Sequence, residues 1–282
     1  MVGSRLLLLF QIQTTMKKLF VMLFVAASVG LMAQSTPADS NAKGKGLFSV
    51  GSQRQVRFSP GNLQYQPTTH LWRFAPQQNQ VQGWEPYFAN GRYKGWIDLF
   101  GWGTALSPEN YSESASDYSF VDWGTFCGLP TDGGLRWRTM SLDEWTYLLS
   151  KRPHARRLYA LAYVEGKYGL ILLPDNWKSP KGVYLKTGPK EDYVNVCNEE
   201  KWAKLEAAGA IFLPSEVKRL GTESQGGASI CHYWMTSSNS KKTGESLYLL
   251  VDSYLPQVKS ASRANGFSVR LVQDVETAEP EQ

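Results

Sequence analysis

Past Gly46 the chain alternates in short bursts. Val56 and Phe58 alternate with Gln55 and Arg57, which predicts a half-buried strand. Ser59-Pro60-Gly61-Asn62 is turn chemistry. Leu63-Gln64-Tyr65 resumes the alternation, and Leu71-Trp72-Arg73-Phe74 reads as a third strand. Residues 75–138 lose periodicity and fill with Gly, Trp, Tyr, Ser and Asp, which predicts a long structured loop region or an insertion pinned by its aromatics, of a length that usually serves a function. Two helices follow. Ser141 with Glu144 three residues on predicts a capping box. Leu142, Trp145, Leu148 and Leu149 share a face behind it, and Pro153 stops the helix. The second helix starts near Asn198, with Glu199 and Glu200 in its first turn. Trp202, Leu205 and Ala208 share its face, and Gly209 supplies the stop. Each helix precedes apolar strands that end in Leu-Pro: a hairpin over 158–174 turning at Glu165-Gly166, then 210–214. The last third reads as strand and loop: 233–236, 247–251, and Phe267, Val269 and Leu271 alternating with Ser268 and Arg270. Two helices among many short strands predict an α+β domain.

The N-terminus carries a different pattern. Residues 16–33 place Lys17 and Lys18 before an apolar run shorter than the ~20 residues a membrane span needs, with Leu31 and Ala33 at a small-residue cleavage pattern. We expect residues 1–33 to be a secretion signal whose true start is Met16, followed by a polar linker over 34–45. A folded domain over 46–275 and a polar tail over 276–282 complete the expected organisation. The protein is then exported, to periplasm, outer surface or medium. No later stretch is long and apolar enough to span a bilayer. Arg5, Lys17 and Lys18 leave with the signal, which takes most of the net charge of +5 and removes the argument for a nucleic-acid partner.

The side chains suggest binding rather than catalysis. The 10 Trp and 14 Tyr suit sugar or protein surfaces, although core filling is the commoner use of large aromatics. Cys127, Cys197 and Cys231 allow at most one intramolecular disulfide, with three pairings open; buried free thiols are expected. His70, His154 and His232 lack metal-ligand spacing, and neither a nucleophile elbow nor a phosphate-binding glycine loop occurs. Asp98, Asp117, Asp122 and Asp143 could form a glycosidase pair, but nothing fixes two of them at catalytic separation, so solvated or capping roles are expected. The expectation is therefore no enzymatic activity, no cofactor and no metal.

Several segments together resemble a known group. They are Phe58-Ser59-Pro60-Gly61-Asn62-Leu63-Gln64-Tyr65, Gly95-Trp96-Ile97-Asp98-Leu99-Phe100-Gly101-Trp102-Gly103-Thr104, Trp137-Arg138-Thr139-Met140-Ser141-Leu142-Asp143-Glu144-Trp145 and Ile171-Leu172-Leu173-Pro174-Asp175-Asn176-Trp177. Gly209 to Pro214, Tyr233 to Ser238 and Arg263 to Arg270 complete the series. The series resembles secreted Bacteroidetes proteins with a C-type-lectin-like domain, similar to formylglycine-generating enzymes and to retroelement-diversified receptors. The resemblance implies N- and C-terminal strands that pair, two helices flanking small antiparallel sheets, and long irregular aromatic-rich loops that carry any ligand site. One fold of this kind hosts many functions.

In the diversified relatives, loops equivalent to 233–265 present the variable residues. We therefore expect a ligand surface of Tyr233, Asn239, Tyr254, Gln257, Arg263 and Asn265, taking a glycan or a surface protein. A structural or assembly subunit of the envelope or of a surface appendage is the alternative, and it calls for a partner strand or a large interface. A third reading is an enzyme related to the sulfatase-modifying factors. It requires Cys197 to approach Cys231, because the sequence spacing departs from the paired copper-binding cysteines of that family.

Overall fold

The computed structural model describes residues 46–81, 93–129, 135–188, 194–226, 230–252 and 255–275. The signal, linker and tail expected from the sequence lie outside these residues, as does Tyr254.

In chain order the strands are β1 (Phe48–Gly51), β2 (Arg54–Phe58), β3 (Leu63–Gln66), β4 (Leu71–Phe74) and β5 (Trp137–Arg138). Next come β6 (Tyr159–Val164), β7 (Lys167–Leu172), β8 (Asn195–Cys197), β9 (Ile211–Pro214), β10 (Lys218–Leu220) and β11 (Glu223–Gln225). The last four are β12 (Cys231–Ser238), β13 (Glu245–Val251), β14 (Pro256–Ser262) and β15 (Val272–Val275). The helices are α1 (Trp123–Phe126), α2 (Leu142–Thr146) and α3 (Glu199–Ala207). The protein is thus a mixed α+β chain of small sheets with few helices.

Local chemistry sets these elements. The capping box forms as expected: Ser141 accepts from the Glu144 N–H while the Glu144 carboxylate accepts from the Ser141 N–H. The helix does not run regularly to residue 150. After Thr146 it continues as a π turn, Tyr147–Lys151, which lets Leu148 reach the core. Asn198 caps α3 on the Lys201 N–H, and Gly209 leaves that helix at φ +92°, a left-handed conformation that favours glycine. The β6–β7 hairpin turns on Glu165 and Gly166, both at positive φ, as a two-residue turn between twisted strands requires.

The sheet ordered β8-β6-β7-β9 is central to the packing of the described residues, with a core on each face. Its strands are apolar on both faces. Tyr159, Leu161, Leu170, Leu172, Ile211 and Leu213 enter one core with Trp145 and Leu148 of the α2 segment. Ala160, Ala162, Val164, Ile171, Cys197 and Phe212 enter another with Trp202 and Leu205 of α3. The two helices therefore lie against opposite faces. Strand alternation assigns each residue to one core or the other, and the near-continuous apolar runs follow from burial on both sides.

A second sheet, β1-β2-β15-β5, joins the start of the described chain to its end: Phe58 lies opposite Val272 and Val56 opposite Asp274. The expected closing strand is 266–272, in which Phe267, Val269 and Leu271 alternate with Ser268 and Arg270. The structure corrects this. Only Val272–Val275 joins that sheet, and Ser268 and Arg270 are buried because both sides of the segment are covered. Arg270 donates to Asn62 and to Gln78, so hydrogen bonds rather than water receive its guanidinium. The third sheet, β12-β13-β14, carries the candidate site.

Candidate functional site

The sheet β12-β13-β14 is a meander in antiparallel register, with Trp234 opposite Tyr248 and Tyr248 opposite Lys259. Cys231, Tyr233, Leu249 and Val251 point to the core beneath α2, whereas Trp234, Tyr248 and Phe267 enter an aromatic cluster with Phe100, Trp102 and Trp123. The stretch 75–138 was expected to be a long structured loop region. Within it, 93–129 contributes these aromatics and the short helix α1, and Trp137–Arg138 form strand β5.

The six sequence-selected residues divide. Tyr233 is no surface residue: its side chain is buried, with its hydroxyl on Asn62 and on the Pro214 carbonyl, because both faces of β12 are covered here by core. Within the loops expected over 233–265, Pro256–Ser262 is strand β14 instead, so Gln257 sits within a ladder, donating to Asp252 at 3.4 Å. Asn239 shapes the β12–β13 turn. Its carboxamide oxygen accepts from the Lys241 N–H, and its N–H donates to the Glu245 carbonyl. Arg263 lies over the Trp102 ring at 4.5 Å and donates to the Ser246 hydroxyl. Asn265 closes a turn onto the Ser262 carbonyl. Asn239 and Arg263 both lie at the turn end of the sheet, since the Asn239 N–H donates to the Glu245 carbonyl and the Arg263 N–H to that of the adjacent Gly244. Gln257 is six residues from Arg263, about 20 Å along an extended strand.

Residues outside the sequence-derived set complete this surface. Glu245 accepts from Ser260 at 2.5 Å and from Asn239 at 3.3 Å, and pairs with Lys242 at 3.3 Å. The Ser260 hydroxyl and Lys242 hold its carboxyl below the usual carboxylate range. Lys241, Lys242 and Lys259 stay exposed, so the surface is basic around a neutralised carboxylate. The only sequence signal for β14 is the proline at its start. Val258 is its one β-branched residue, and periodicity is weak.

The reactive groups lie elsewhere. All three cysteines are free and buried, and burial pushes each thiol up, away from the nucleophilic form. Cys197 and Cys231 belong to cores on opposite faces of the central sheet. Among the described residues there is no group of three His, Cys, Asp or Glu side chains that could hold a metal. Asp122 caps α1 on the Gly124 N–H and accepts from the Thr139 N–H, and Asp117 accepts from Ser112. No helix among the described residues is long and apolar enough to cross a membrane.

His232 stacks on Phe267, with ring centroids 4.8 Å apart, and burial pushes its imidazole down to about 4 from the ordinary 6.5, with Lys218 acting in the same direction. The folded protein therefore disfavours the charged ring. That contribution is silent above pH 6.5 and reduces stability as pH falls from 6.5 towards 4. Between pH 7 and pH 5 the loss is about 2 kcal/mol. Urea unfolding at the two pH values measures it, and His232→Phe, which keeps the stack, is expected to abolish most of the difference. Equal losses in both proteins would reject the assignment.

No family model, curated protein or solved structure matches this chain.

Proposed function

We propose that this chain is an exported, non-enzymatic binding protein with a C-type-lectin-like domain, and that it engages a polypeptide partner through the surface made by the 239–244 turn and strand β14. The observation that carries the reading is that, among the described residues, no strand pairs with the outer side of β14, beside a basic turn whose polar groups are already held in place. A binding surface of this kind needs rigid presentation, and here each exposed lysine stands on a hydrogen-bonded ladder or turn.

The aromatic side chains favour a protein partner over a glycan. Sugar recognition without metal relies on a flat exposed ring; the described Tyr and Trp rings of this sheet, Tyr233, Trp234 and Tyr248, are all buried, and the exposed rings of Tyr163 and Tyr184 lie outside it. Two helices on opposite faces of a small sheet and the pairing of β2 with β15 support the C-type-lectin-like reading. Cys197 and Cys231 on opposite faces of that sheet give no support to a copper-binding pair. An envelope or appendage subunit is the second reading, because an open strand suits a permanent neighbour as well as a transient one.

A photo-crosslinking residue placed at position 242, 259 or 204 in the full chain tests the proposal. Irradiation of producing cells is expected to give a discrete protein adduct from 242 and 259 and none from 204, which lies on α3. A fixed one-to-one adduct with an envelope protein would favour the assembly reading. No adduct from 242 and 259, or adducts only from 204, would reject the surface.

A further inference from the structure

Strand β14 is seven residues long and has one neighbour. Among the described residues no strand lies along its outer side. Apart from β12, the other sheet-edge strands among the described residues are shorter: β1, β3, β4 and β9 have four residues, β8, β10 and β11 three, and β5 two. The outer edge of β12 is closed, because Trp234 and Thr236 donate to the Ser268 and Met140 carbonyls and Ser268 donates to His232.

The ladder fixes which groups β14 leaves open. The Arg263 N–H donates to the Gly244 carbonyl, and this pair continues the register of β13 with β14. Antiparallel ladders alternate bonded and non-bonded pairs. Gln257, Lys259 and Ala261 therefore spend their backbone groups on β13, and Val258, Ser260 and Ser262 turn theirs outward. Asn265 takes the Ser262 carbonyl. Among the described residues, both backbone groups of Val258 and Ser260 and the Ser262 N–H meet no backbone partner. Edge strands are usually blunted by proline, charge or a bulge. Pro256 removes a donor only at the strand start. Lys259 is a residue whose backbone faces inward, so it does not obstruct the outward groups.

We infer that the outer edge of β14 accepts an extended segment of a partner protein as a fourth strand, with an acidic side chain beside Lys259 and apolar side chains on the Val258 face. This rests on the binding-surface reading above and names the partner's chemistry. Side chains alternate across a strand, so Lys259 stands on one face and Val258, 37% exposed, on the other. A segment that alternates apolar residues with a central acidic one meets both. Exposed Lys241 and Lys242 add positive charge at the turn end. Charge also disfavours a second copy as occupant: antiparallel self-pairing about Lys259 sets two ammonium groups opposite each other.

The test uses the full chain and a fluorescein-labelled nonapeptide, Thr-Val-Thr-Val-Glu-Val-Thr-Val-Thr, with blocked termini, beside a version with lysine at the centre. Fluorescence anisotropy is expected to show the glutamate peptide binding at least fivefold tighter. Lys259→Glu should invert that preference. Val258→Pro removes an outward N–H that the fold does not use, so its urea midpoint should stay unchanged while affinity for the glutamate peptide falls at least tenfold. Equal binding of both peptides, indifference to Lys259→Glu, or full binding by a folded Val258→Pro chain would each overturn the inference. So would a dimer of the free chain that Val258→Pro dissociates. Failed peptide binding with intact crosslinks at 242 and 259 would remove the edge inference and leave the binding surface; failure of both removes both.

Discussion

Replacing Glu144 by alanine is expected to lower the free energy of unfolding by about 3 kcal/mol, most of the margin of a weakly stable domain. The carboxylate is 4% exposed and has three tasks. It accepts two hydrogen bonds from Arg138, both at 2.8 Å, and one from Arg54. It also closes the capping box on the Ser141 N–H. The capping half contributes about 1 kcal/mol and the charged contacts about 2, reduced because Arg54 and Arg138 keep contact with water. Arg138 also pairs with Asp274 at 2.6 Å, so β5, β15 and the start of α2 are joined through one guanidinium. Burial alone would raise the Glu144 carboxyl, but Arg138 and the Ser141 N–H outweigh it and hold the group below the usual range. A depressed carboxyl contributes its stability above the unfolded value, ~4.3, and loses it as pH falls through the folded value. The gap between wild type and Glu144→Ala should therefore be full at pH 7 and shrink below pH 4. Urea titrations of Glu144→Ala, Arg138→Met and the double variant would check the magnitude and the coupling. A single loss under 1 kcal/mol, or additive singles, would refute the account.

The same residue shows what the sequence reveals. Ser141 and Glu144 announce themselves because a capping box is local: three residues of spacing carry the whole motif. Asn198, Gly209 and the Glu165-Gly166 turn are legible for the same reason. The partners of Glu144 are 90 and 6 residues away, and nothing local distinguishes Arg54 or Arg138 from solvated arginines. Misreadings cluster where both sides of a segment are covered. Tyr233 lies in the run Tyr233-Trp234-Met235, apolar at every position, so period cannot say which side chain faces out, and in fact none does. Ser268 and Arg270 look like the wet face of a strand, yet long-range packing buries them and Gln78 and Asn62 receive the arginine. The β14 edge is hidden for the opposite reason. Its residues have little strand propensity, and pairing with β13 overrides that.

Trp234→Ala is expected to cost about 4 kcal/mol, the largest effect of any single substitution considered for this chain. The indole is 1% exposed. It packs on Phe267 at 4.4 Å between centroids and on Tyr248 at 6.2 Å. Its ring N–H donates to the Phe100 carbonyl at 2.7 Å. That carbonyl also accepts from the Phe267 N–H, so truncation leaves it bonded and the loss is dominated by the cavity and the missing ring contacts. Phenylalanine refills part of the space, and Trp234→Phe should lose about half as much. Urea unfolding followed by far-ultraviolet circular dichroism would check both, and a loss below 1.5 kcal/mol for alanine would contradict this packing. Trp234, Tyr248 and Lys259 form one cross-strand row. Loosening its buried end should weaken the glutamate peptide at its exposed end, by making β13 and β14 pay ordering entropy that the intact core has already met. If Trp234→Phe stays folded but binds severalfold more weakly, rigidity of the row contributes to recognition. Unchanged affinity would confine Trp234 to stability.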